Sequence, residues 1–71
     1  MDTDTIREKA NFYYSKKTIV HIEKQGKDWF NGIILEVSDK HLILLDRVVK
    51  EVFITFDEIV KLEPYHERRL E

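Results

Sequence analysis

Three histidines, His21, His41 and His66, are the side chains of this sequence best suited to holding a metal or moving a proton near neutral pH. No two of them stand at the short spacing that puts two ligands on one helix turn or loop. No Glu completes a metal motif around them, so no metal centre is expected. Cysteine is absent, which removes disulfides, thiolate ligands and a thiol nucleophile. Ser15 and Ser38 belong to no nucleophile elbow and no Ser/His/Asp signature, and no glycine-rich phosphate loop is present. They read as helix-end and turn residues. The chain is therefore not expected to be an enzyme, and no cofactor is implied.

Binding chemistry is better represented. The run Asp39-Lys40-His41 joins a turn-forming acid, a cation and an imidazole that can stack on a base. Lys24, Lys27, Lys40, Arg47 and Lys50 fall in expected loops. Repeated around a closed assembly, Lys40 and Arg47 would line a path for phosphates. Asp39, Lys40, His41 and Arg47 are thus the candidate contacts for single-stranded RNA. Trp29, beside Phe30, and Tyr65 are aromatics that either pack within the protein or capture a peptide or base.

These residues must be positioned by 71 residues, enough for one domain. Hydrophobic residues are 42% and charged ones 37%, a globular balance. A domain this small buries only about 60% of its unfolded surface, so oligomerisation is the expected source of added stability. The net charge of −2 argues against coating duplex DNA. Residues 51–71 hold six acids against three bases, so any basic face comes from the first fifty residues. No apolar run is long enough to span a bilayer. Met1 to Thr5 lacks the character of a signal peptide, and cytoplasm is the expected location.

The spacing of Ile6, Ala10 and Tyr13 predicts a helix over residues 5–16, with Thr5 as N-cap and Glu8 closing a capping box. Its apolar stripe is thin, so it should lie across the mouth of something else. From Thr18 the pattern becomes β, and five strands are expected within residues 18–63. They are Thr18–Ile22, a long strand Asp28–Val37 bent or bulged at Gly32, His41–Leu45, Val52–Phe56 and Ile59–Leu62, the last stopped by Pro64. The link Asp57-Glu58 is short enough for one 3₁₀ turn. Residues 65–71 read as a charged tail. Five short strands with tight turns predict a mainly β fold, a strongly bent, SH3-like open barrel carrying an N-terminal helix.

An open barrel has two edges, and here both are apolar. Either the helix or tail covers them, or they pair between subunits. The second solution suits a chain of marginal size and must close into a ring to avoid fibres. Val52, Phe53, Ile54, Phe56, Ile59 and Val60 are the candidate interface residues.

Gly26, Gly32 and Asp39, with the stretch Asp39-Lys40-His41-Leu42-Ile43-Leu44-Leu45 and the strand order, resemble the Sm/LSm family, including its bacterial Hfq type. The resemblance spans roughly residues 5–64. It implies a ring of six or seven subunits that binds single-stranded, often uridine-rich RNA in inner loops. His41 falls on the family's base-stacking position and Asp39 on its loop-ordering Asp. The family's base-binding Asn position reads Ile43, and its Arg-Gly falls on Thr55-Phe56, followed by Asp57 and Glu58. Those departures leave a second expectation beside RNA binding: a scaffolding oligomer of the same fold without the nucleotide pocket.

Overall fold

In the computed structural model, which describes residues 2–65, the first element is helix α1, Thr3–Lys16. Ile6 and Ala10, one turn apart, are fully buried, and Tyr13 packs against the same core. The helix begins two residues earlier than expected. Asp2 is its N-cap, so Thr5 lies inside the helix and the capping box does not form. The acid placed to favour the N-terminus, Asp4, also pairs with Arg7 at 3.0 Å. At the other end Lys17 adopts a left-handed conformation (φ 55°). Its N–H bonds the Tyr14 carbonyl and that of Thr18 bonds Tyr13, the two bonds of a Schellman turn.

Five antiparallel strands follow: β1 Ile19–Lys24, β2 Trp29–Val37, β3 His41–Asp46, β4 Lys50–Thr55 and β5 Ile59–Pro64. A single 3₁₀ turn, Phe56–Glu58, joins β4 to β5 as the short link implied. The sheet runs β4-β3-β2-β1-β5, and it is not closed. Alternation places Val20, Ile22, Ile34, Leu42, Leu44 and Ile54 in one core with Phe56, Ile59 and Leu62. Helix α1 covers that core from the side of β2, β5 and the 3₁₀ turn.

The nine-residue β2 serves two neighbours. Its first half pairs with β1 and its second with β3, and Gly32 is shared, opposite Val20 on one side and Asp46 on the other. Of the bend or bulge expected at Gly32, the bulge falls instead at Leu35, which is passed over where the register steps from Ile34↔Leu44 to Glu36↔Ile43. Gly32 has a different task. A Cβ there would stand 1.9 Å from the Leu45 carbonyl oxygen, so only glycine allows β3 to approach this closely.

Strand five also departs from expectation, continuing through Pro64, opposite Val20. Pro64 is tolerated because β5 is an edge. The N–H of Tyr65 bonds Ile19, so by alternation the missing N–H of Pro64 falls on the open side. Phe56, expected to end strand four, lies in the 3₁₀ turn with its ring fully buried. The tail beyond Tyr65, His66 included, lies outside the described residues.

Gly32→Ala should be among the most damaging single substitutions, costing at least ~3 kcal/mol because backbone must move. Gly26→Ala, at φ 90° with open space around it, should cost about 1 kcal/mol. Equilibrium denaturation of the two variants checks the ranking.

Candidate nucleic-acid interface

The Asp39 turn and the 3₁₀ turn are brought side by side. The turn between β2 and β3 is closed by the Ser38 N–H on the His41 carbonyl at 2.8 Å. The Phe56 N–H donates to the Lys40 carbonyl at 2.9 Å, which joins the two loops directly. Helix α1 reaches the same point, where the Arg7 guanidinium donates to the Asp39 carbonyl at 3.3 Å. Asp39, Lys40 and His41 therefore stand together at one end of the barrel, next to Thr55, Asp57 and Glu58.

His41 is half-buried and stacked on Phe53, with ring centroids 4.2 Å apart and planes 24° from parallel. The pair is diagonal across the β3–β4 ladder, since His41 faces Thr55 and Phe53 faces Ile43. One face of the imidazole is thus held by an aromatic of the edge strand, which fixes the orientation of the other. The sequence carries a signal for this pair: both residues are outward by alternation on adjoining strands, and only the register was needed to see it.

The charges around the loops largely cancel. Lys24 meets Glu58 at 2.8 Å and Arg7 meets Asp4. The Thr55 hydroxyl lies 2.8 Å from both the Asp57 and the Glu58 carboxylates. The Lys24 ammonium and Thr55 hydroxyl hold the Glu58 carboxyl below the usual range, so it remains ionised. Among the described residues Lys40 forms no salt bridge, and it is the cation of these loops that is left to meet a phosphate.

Arg47 is not part of this group. It follows the far end of β3, and the six-residue strand between them separates it from Lys40 by roughly 20 Å. There it belongs to a hairpin turn fixed by Asp46, a residue the sequence reading did not single out. The buried Asp46 carboxylate accepts the N–H groups of Asn31 (3.1 Å), Val48 (2.8 Å) and Val49 (2.9 Å). An Asp closing an aliphatic strand just before a turn was the available signal. Burial draws its carboxyl upward, but the three N–H groups and Arg47 outweigh it and hold it below the usual carboxylate range.

His21 forms a second network on the outer face of the sheet. Its Nε2 lies 2.9 Å from Glu23 and its Nδ1 lies 2.6 Å from the Asn31 side-chain oxygen, so the imidazolium donates to both. Burial pulls the imidazole down. The bonds to Glu23 and Asn31 and the charges of Glu23 and Glu63 outweigh it, leaving His21 above its ordinary value of 6.5. His21 and His41 belong to separate networks, and among the described residues no cluster of three or more His, Asp or Glu side chains could hold a metal.

Of the six residues expected at a subunit interface, Phe53 and Val60 are 60% and 48% exposed on the two edge strands, and Val52 is half-buried. The side chains of Ile54, Phe56 and Ile59 are enclosed in the chain's own core. Ile54 and Ile59 can contribute to pairing only through backbone, and Phe56, in the 3₁₀ turn, has its N–H on Lys40 and its carbonyl on the Ile59 N–H.

No family model matches the chain, and no curated protein was found to be similar in sequence. Its fold, however, has a solved counterpart. The chain is similar to the crystal structure of the pleiotropic translational regulator Hfq, with a TM-score of 0.71. The match covers 79% of this chain and 92% of that one. The fold is Sm-like, of the Hfq type. At 16% identity the likeness speaks for the Hfq-type fold alone. Within that fold no helix of the described residues is long and apolar enough to cross a membrane.

Two expectations follow from the polar networks. Asp46→Ala should cost about 2–3 kcal/mol, since it leaves three N–H groups without their charged acceptor. Because the folded carboxyl titrates low, that deficit should shrink as pH falls through its folded value. For His21 the sign is opposite. Its stabilisation is complete below 6.5 and is lost as pH rises through the raised folded value. Denaturation curves of wild type and His21→Gln should therefore converge as pH rises above 6.5 and through the raised folded value.

Proposed function

We propose that the chain assembles by pairing β4 of one subunit with β5 of the next into a closed ring, and that the paired inner loops bind single-stranded RNA. The observation that carries this reading is the sheet order: β4 and β5 are the two unpaired edges, and Phe53 and Val60 stand exposed on them. An edge of this kind calls for a partner strand. The Hfq-type fold supports it, and so does the solved counterpart, which is a translational regulator. In the site, His41 offers one ring face for stacking, and Lys40 meets the backbone. The Asp39 carbonyl, held by Arg7, ties the turn to α1.

Asp57 and Glu58 favour a second reading, an oligomer that assembles without RNA. They stand where a cation would be wanted, and Glu58 has already engaged Lys24.

Light scattering should give a mass several times the 8.6 kDa of one chain. Phe53→Glu, which places a charge on the β4 edge, should lower it toward the monomer. Fluorescence anisotropy with labelled oligo-U and oligo-A should show binding that weakens with added salt. His41→Ala should lose several-fold more affinity than the distant Lys9→Ala. A monomer would remove the ring. A stable oligomer that binds neither RNA would decide for the second reading.

A further inference from the structure

The outer face of the sheet, at the Arg47 end, carries two adjoining hollows that the inner loops do not use. The first, about 520 Å³, has Ile19, Ile33 and Leu45 as an aliphatic floor, with Tyr65, Lys50 and Arg47 around it. The second is lined by Trp29, Val48 and Val49, again with Arg47. Trp29 is 60% exposed and Val48 83%. Valines are poor turn residues, and turn positions normally go to polar or flexible side chains. Here the Asp46 carboxylate pins the Val48 and Val49 N–H groups, so the turn presents its two valines rigidly.

Three outward residues of β2, Trp29, Asn31 and Ile33, set the spacing of this surface. Trp29 belongs to one hollow and Ile33 to the other, while Asn31 and Arg47 line both. Asn31 uses its side-chain oxygen on His21 and its backbone N–H on Asp46, which leaves its amide nitrogen free to donate. Neither Arg47 nor Lys50 forms a salt bridge among the described residues. Asp46, the acid lining the hollows, has its carboxylate committed to three backbone N–H groups.

We propose that this face docks an extended acidic segment of a partner protein with the pattern apolar–any–acid–any–apolar. An extended chain turns every second side chain to one side, so its three anchors match Trp29, Asn31 and Ile33 in step. The outer anchors fill the two hollows and the central carboxylate meets Arg47 and the Asn31 amide. Charge complementarity selects a peptide over a nucleic acid. The first hollow's floor is aliphatic, the aromatics Trp29 and Tyr65 stand apart in different hollows rather than as successive stacking platforms, and Glu23 and Glu63 share the face with His21. Such a surface suits one carboxylate better than a run of phosphates.

The test uses the full chain and Trp29, its sole tryptophan, as reporter. The probe is the blocked pentapeptide acetyl-Leu-Ala-Glu-Ala-Leu-amide, titrated to about 1 mM, the affinity expected of a short weak ligand. A saturable change in Trp29 emission is expected. Replacing the peptide's Glu by Gln should weaken it about tenfold, as should Arg47→Gln in the protein. His41→Ala should leave it unchanged. No saturable change, or equal binding by the Gln peptide and by Arg47→Gln, would overturn the proposal. An Arg47-dependent response to an oligo-A decamer, with none to the peptide, would overturn it in favour of a nucleic-acid surface. These outcomes do not depend on whether the inner loops bind RNA.

Discussion

One contact sets the geometry of this barrel: the close passage of β3 over Gly32. At that residue β2 exchanges one neighbour for the other, with Val20 and Asp46 both in register against it. A side chain there would collide with the Leu45 carbonyl, and the strands would have to separate. Because β2 is shared in this way, five short strands can wrap a core of eleven closely buried residues that a flat sheet of the same length would leave open. The same passage brings the end of β3 against Asn31, where the Asp46 carboxylate closes the hairpin turn.

The barrel then presents a different set of side chains at each end. At one, the Asp39 turn, the 3₁₀ turn and the start of α1 are tied by backbone bonds from Phe56 and by Arg7. At the other, the Asp46 turn holds Arg47, Val48 and Val49 beside Trp29. The ends are separated by the length of β3. A ligand at one need not compete with a ligand at the other.

Much of the fold was legible because it rests on short-range pattern. The apolar, β-prone runs His41–Leu45 and Val52–Phe56, the glycine at the Gly26 turn and the two-residue link before Ile59 marked the successive strands and the 3₁₀ turn. What escaped depended on contacts between residues distant in sequence. Gly32 reads as a bend from sequence alone. Its meaning lies in a carbonyl thirteen residues away, and the bulge moved to Leu35, which no local signal marks. Thr5-Ile6-Arg7-Glu8 has the form of a capping box, yet burial of Ile6 and Ala10 is compatible with a helix begun earlier, at Asp2. The site was legible in part. Asp39, Lys40 and His41 are adjacent in sequence and stayed together, whereas grouping Arg47 with Lys40 ignored the strand that divides them. Phe53 under His41 required the register of β3 on β4.

Three lysines, Lys17, Lys27 and Lys50, hold left-handed backbone conformations that glycine would adopt without strain. Each departs from the right-handed preference at a cost of about 1–2 kcal/mol. A domain of this size has little stability to give up. The chain therefore sits below the stability its fold can reach, with several single changes to glycine open to it as mutational headroom. Lys50 lines the first of the two hollows, so at that position the change to glycine would relieve backbone strain and also remove a positive charge from that surface.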